Sequence, residues 1–159
     1  MFNNIFENKI LNSNGSVLVM GLNDKVQASY VWNLFGASKK NILVITNTLY
    51  EANMLYKSLN QYDKDNILLF PMDDFLVSEA VATSPDLMSK RIETLNELSK
   101  NNIGKIVITN FMGYLRFLPS RKLWSSLNIN IKETDEINRD LLIQKLNMIG
   151  YKKDSIVTK

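Results

Sequence analysis

Ser16-Val17-Leu18-Val19-Met20-Gly21-Leu22-Asn23-Asp24-Lys25-Val26-Gln27-Ala28 is the stretch that decides how this chain folds. An apolar run of strand type stops at a glycine and a short polar turn follows. From there Val26, Tyr30, Val31, Leu34 and Phe35 recur at helical spacing. The turn has the length of the phosphate loop G-x-x-x-x-G-K-[ST]. That loop needs glycine backbone close to phosphate, a lysine for the β- and γ-phosphates and a hydroxyl for Mg²⁺. Only Gly21 survives, because Val26, Gln27 and Ala28 stand where the second glycine, the lysine and the hydroxyl belong. Asp24 adds negative charge to a helix N-terminus that would otherwise favour an anion. Two readings stay open: a relic phosphate loop, or a plain turn in which Gly21 relieves crowding and Asn23 or Asp24 caps the helix. Both predict no ATP binding here and no cofactor.

Working outward, the strand-and-helix alternation repeats. Asn41–Thr46 reads as a strand, followed by a helix with Ala52, Leu55, Tyr56 and Leu59 on one face. Gly36 fits the C-terminal cap of the helix before it. Ile67–Phe70 is a third strand, stopped by Pro71. Ser84-Pro85-Asp86 supplies an N-cap, a proline at N1 and a first-turn acid to a helix carrying Leu87, Ile92, Leu95 and Leu98. Lys105–Thr109 is a fourth strand, leading into an aromatic-rich helix that ends near Pro119. Strands that are near-continuous apolar runs, alternating with helices, predict an α/β fold: a parallel sheet with helices on both faces.

The pattern changes near Leu127. Leu127, Ile129 and Ile131 alternate with polar residues, as in a strand with one wet face, and a helix from about Asn138 presents Leu142, Ile143, Leu146 and Ile149 before Gly150. Tyr151–Val157 would begin another strand. The expected division is residues 1–125 as the α/β domain and 126–159 as the opening of a small second α+β domain.

Composition narrows the chemistry. The chain has 159 residues, no Cys and no His, which excludes disulfides, zinc sites of the usual ligand set and imidazole or thiolate catalysis. A net charge of +3 falls short of the concentrated basic face that phosphate-backbone recognition requires. No apolar run approaches the roughly 20 residues of a membrane span. The start, Met1-Phe2-Asn3-Asn4-Ile5-Phe6-Glu7, lacks the cationic and apolar regions of a signal peptide, so a cytoplasmic location is expected.

Four further groups invite a functional reading. Asp73-Asp74, after a strand and a proline, could hold Mg²⁺, although turn and capping duty suits aspartates there. Phe111, Tyr114, Phe117 and Trp124, with Arg116, Arg121 and Lys122, could stack bases and contact phosphate, or form a core stripe on one helical face. Lys39-Lys40 and Lys152-Lys153 read as solvated turns. Arg91, one turn from Leu87 and Leu95, is either an exposed helix arginine or one half of a bidentate carboxylate pair.

Several segments together resemble a family. Phe70-Pro71-Met72-Asp73-Asp74, followed by Ser84-Pro85-Asp86-Leu87-Met88-Ser89-Lys90-Arg91-Ile92-Glu93-Thr94-Leu95, is similar to the "FP…SP..D..S.R...L" stretch of the bacterial transcription-repair coupling factors (Mfd). Ile108-Thr109-Asn110 and Leu118-Pro119 follow in the corresponding order. Asp135-Glu136-Ile137, Leu142, Leu146 and Gly150-Tyr151 resemble the "GDE.D...L...L...GY" passage that opens the next domain in Mfd and in the excision-repair protein UvrB.

The resemblance implies a P-loop NTPase or helicase-like first domain, as in domain 1a of UvrB, and the family-motif residues Ser84, Pro85, Asp86, Ser89 and Arg91. It implies a non-catalytic scaffold and docking module that links stalled RNA polymerase to nucleotide excision repair. UvrA would be recruited through the adjoining second domain. ATP-dependent translocation, and contacts with RNA polymerase and DNA, would belong to later domains of the full-length protein. UvrB's long aromatic hairpin has no counterpart, since only Phe75–Thr83 separates Asp74 from Ser84. Two alternatives remain: a small nucleotide-binding enzyme with an unorthodox loop at Gly21 and Asp73 or Asp74 on a metal, and a DNA-binding module built on the Arg116 patch.

Overall fold

The computed structural model describes residues 15–38, 40–74, 84–100, 104–129, 131–149 and 151. Lys39, Phe75–Thr83, Gly150, Lys152-Lys153 and the strand expected beyond Tyr151 lie outside them. The described residues divide into two compact units, before and after the Phe117–Leu118 bond. This division falls ahead of the boundary at residue 125 expected from sequence.

The first unit runs α1 (Asp24–Ser38), β1 (Ile42–Thr46), α2 (Leu49–Leu59), β2 (Ile67–Phe70), α3 (Pro85–Ser99), β3 (Ile106–Asn110) and α4 (Phe111–Tyr114). Its strands form one parallel sheet in the order β1-β3-β2. Ile42 and Ile67 flank Ile106, and Val44 and Leu69 flank Ile108, so side chains of matching parity share a face. On that face Ile67, Leu69, Ile106 and Ile108 meet Ala52, Leu55 and Leu59 of α2 and Ala28 of α1. Each fully buried aliphatic side chain contributes about 1.5–3 kcal/mol. Val31, Trp32 and Phe35 extend the cluster along α1, and Trp32 stacks on Tyr62 at 5.7 Å.

The β1-to-β2 connection steps across β3, and the β2-to-β3 connection steps back. Right-handed crossovers therefore place α2 and α3 on opposite faces of the sheet. The α/β architecture with a parallel sheet is as the apolar runs predict.

Four local expectations are corrected. Ser16–Met20 forms no strand: Leu18 is 84% and Met20 80% exposed, and the sheet has three strands among the described residues. Apolar composition permits a strand, but pairing makes one, and this run pairs with no strand among the described residues. Gly36 lies inside α1, which continues to Ser38. On α3 the buried residue is Thr94, while Ile92 is exposed. The aromatic helix is one turn, Phe111–Tyr114, and Phe111, Tyr114 and Phe117 are exposed rather than a core stripe.

The second unit holds α5 (Arg121–Leu127) and α6 (Arg139–Ile149). The strand expected over Leu127–Ile131 is absent among its described residues. Leu127 instead ends α5, opened by Ser120, whose Oγ accepts from the Leu123 N–H at 3.3 Å. Helix α6 begins as expected after Asn138, whose Oδ1 accepts from the N–H groups of Asp140 and Leu141 at 3.0 and 3.2 Å. No described residue of this unit is buried. Among the described residues no helix is long and apolar enough to cross a membrane.

Candidate functional site

The turn at Gly21 is built as a helix cap. Gly21 has φ of +80°, a left-handed conformation that glycine adopts without strain. Asn23 then closes the start of α1 twice. Its Oδ1 accepts from the Val26 N–H at 3.0 Å, and its carbonyl accepts from the Gln27 N–H at 2.8 Å. A phosphate loop would turn such N–H groups toward an anion, and here the Asn23 side chain takes that role. Val26 and Gln27 are exposed, while Ala28 is 2% exposed and packs in the core. A hydroxyl in its place would face α2 and the sheet rather than a metal.

A cleft of about 370 Å³ lies beside this turn, lined by Asp24 and Gln27 of α1, Val44, Ile45 and Thr46 of β1, and Asn47, Tyr50 and Glu51. Its charged groups are carboxylates. Glu51 belongs to a capping box: its Oε2 accepts from the Asn47 N–H at 2.9 Å, and Thr48 Oγ1 accepts from the Glu51 N–H at 3.2 Å. Nothing in this lining matches a polyphosphate.

The polar chemistry of the unit is concentrated at the C-terminal ends of β2 and β3, the end at which parallel sheets carry their sites. Asn110, 0% exposed, donates from Nδ2 to the Met72 carbonyl at 2.7 Å and to Asp74 Oδ1 at 2.7 Å, and its Oδ1 accepts from the Met72 N–H at 3.1 Å. Asp74 in turn accepts from the Leu49 N–H through both oxygens, at 2.8 and 2.9 Å, so it caps α2 from a distant part of the chain. Of the aspartate pair, Asp74 takes the capping role. Among the described residues no group of three His, Cys, Asp or Glu is arranged for a metal ion.

Neighbouring contacts tie α3 to the same strand ends. Thr94 Oγ1 donates to the Leu69 carbonyl at 2.6 Å, Thr109 Oγ1 to the Phe70 carbonyl at 2.8 Å, and Arg91 Nη1 to the Pro71 carbonyl at 3.0 Å. Arg91 is therefore neither a free surface arginine nor half of a bidentate pair. Burial pulls its guanidinium pKa down, Arg116 adds to that and Asp73 opposes it. The two halves of the Phe70-Pro71 … Ser84-Pro85 … Arg91 pattern are thus joined in space. Pro85 opens α3 at its first position, Ser84 precedes it without a side-chain cap bond, and Asp86 and Ser89 face solvent. Replacing Thr94 by valine keeps the volume and leaves the Leu69 carbonyl unpaired. A loss of about 1–2 kcal/mol in urea unfolding is expected.

Thr94, Thr109, Asn110 and Gly113 were not singled out as site residues from sequence. Their signal was polar or small residues where apolar ones should continue: Thr109-Asn110 closing a buried strand, Thr94 within an amphipathic helix. Arg116 and Lys122, in contrast, stay exposed.

No protein-family model matches the chain, and no solved structure matches it. It is 31% identical over 144 residues to the transcription-repair-coupling factor of Staphylococcus haemolyticus (strain JCSC1435). It is 30% identical over 144 residues to that of Staphylococcus aureus (strain bovine RF122 / ET3-1). Each match covers 90% of this chain, and the chain spans 12% of the length of these relatives. The chain is thus related by sequence, over nine tenths of its length, to the transcription-repair-coupling factors, and matches one segment of these much longer proteins.

Proposed function

We propose that this chain is a non-catalytic scaffold of the transcription-repair coupling machinery, with a UvrB-like α/β domain (residues 1–125) that supports the opening of a UvrA-docking domain (126–159). The relationship to transcription-repair-coupling factors carries this reading. The start of α1 supports it, since capping by Asn23 and the charge of Asp24 occupy the place of phosphate chemistry. In this scheme, of the motif residues Ser84, Pro85, Asp86, Ser89 and Arg91, Pro85 opens α3 and Arg91 ties it to the end of β2 through the Pro71 carbonyl. ATP-driven movement, and contacts with RNA polymerase and DNA, belong to other domains of a longer protein.

Titrating the 159-residue chain with ATP and Mg²⁺ tests the first step. No binding is expected, and micromolar affinity would overturn the reading. The double variant Val26→Gly/Gln27→Lys restores two phosphate-loop residues at exposed positions. It should gain no ATP affinity, because the backbone remains capped by Asn23. Adding Ala28→Thr would overfill the core and cost about 1–3 kcal/mol.

A further inference from the structure

Pro71-Met72-Asp73-Asp74 leaves the carboxyl end of β2, and three other elements hold it. From α3, Arg91 Nη1 donates to the Pro71 carbonyl at 3.0 Å. From the end of β3, Asn110 bonds both the N–H and the carbonyl of Met72 and reaches Asp74 Oδ1. Asp74 in turn accepts the Leu49 N–H of α2 through both of its oxygens. Helices α2 and α3 lie on opposite faces of the sheet, so these four residues form a hydrogen-bonded path from one face to the other. The start of α2 is divided between local and distant acceptors. Glu51 Oε2 takes the Asn47 and Thr48 N–H groups at 2.9 and 3.4 Å, and Thr48 Oγ1 takes that of Glu51 at 3.2 Å. This capping box leaves out Leu49, the first helical residue, whose N–H has no acceptor within its own helix.

We propose that Pro71–Asp74 is a strap that couples the two helices: Arg91 on α3 positions it, and through Asp74 it sets the order of the first turn of α2. The strap is short, and Pro71 at its head is fully buried with a φ fixed by its ring. A shift at the Pro71 carbonyl is therefore passed along to Asp74 rather than absorbed on the way. Arg91 is then a positioning residue for a helix on the other face of the sheet, acting through a chain of hydrogen bonds. Thr94 supplies the contrast. It also ties α3 to the sheet, but its partner is the Leu69 carbonyl, within β2 and ahead of the strap.

Native-state hydrogen exchange of the full chain tests the coupling. Arg91→Met keeps the apolar stem and removes the donors. It should speed exchange at Leu49 by roughly tenfold while Glu51, held by Thr48, changes little. Adding Arg91→Met to Asp74→Ala should speed Leu49 no further than Asp74→Ala alone, because both act through one carboxylate. Arg91→Lys keeps a single charged donor and should fall between wild type and Arg91→Met. It carries the same test should circular dichroism show that Arg91→Met does not fold. An unchanged Leu49 overturns the proposal, since Asn110 then holds the strap unaided. So does equal acceleration at Leu49 and Glu51, the mark of a general loss of stability. An Arg91→Met effect that persists in full beside Asp74→Ala overturns it as well.

Discussion

Gly113→Ala is expected to lower the stability of the first unit by about 2–4 kcal/mol, read as a fall in the urea midpoint with little change in slope. Gly113 is buried in α4, and a Cβ built on it would lie 2.3 Å from Thr109 Oγ1, 3.1 Å from the Phe70 carbonyl oxygen and 3.3 Å from Asn110 Oδ1. Two routes of relief are closed. Thr109 is β-branched and its buried hydroxyl donates to the Phe70 carbonyl at 2.8 Å, so turning it away strands that hydroxyl without this bond. The Phe70 oxygen is backbone of β2, held by its pairing with β3. Positive φ plays no part, so the cost is one of space. Gly36→Ala is the matched control: it lies inside α1 with nothing within 4 Å of an added Cβ. It should raise stability by about 0.5–1 kcal/mol through helix propensity. Equal effects at the two glycines would remove the packing argument.

The contrast between elements explains what could be read from sequence. Ile67–Phe70 and Ile106–Asn110 were legible because a parallel strand buried on both faces needs an unbroken apolar run. Helix α2 was legible because Ala52, Leu55 and Leu59 repeat on one face and Thr48 and Glu51 announce its start. Ser16–Met20 is an apolar run like β1, yet it is not paired into the sheet among the described residues. Strand formation depends on a partner edge, and local composition carries no record of that. The candidate site divides in the same way. Asn23 as a cap is local, since its partners lie three and four residues on. The Arg91 contact with Pro71 spans twenty residues, and that of Asn110 with Met72 spans thirty-eight. Such pairs could be suspected only from motifs that recur together, and the resemblance placed Arg91 and Pro71 in one pattern without saying that they touch.

The last of these long-range contacts carries the second large effect. Asn110→Ala should cost about 2–4 kcal/mol, because it leaves the N–H and the carbonyl of Met72 without their partner and opens a void at a fully buried position. Asn110→Asp separates hydrogen bonding from volume. The shape is kept, but an acceptor replaces the donor that now serves the Met72 carbonyl and Asp74 Oδ1. An aspartate there would place a buried carboxylate at hydrogen-bond distance from that of the exposed Asp74, and at neutral pH the desolvation and like charge should make the variant at least as unstable as the alanine. The damage should also travel. Asp74 is shared between Asn110 and the N-terminus of α2, so displacing it frees the Leu49 N–H. Hydrogen exchange at Leu49 should therefore accelerate in Asn110→Asp more than in Thr94→Val, whose bond to Leu69 does not involve Asp74. If Leu49 exchanges equally in both variants, the strand ends are separate contacts rather than one connected support for the loop that follows Phe70.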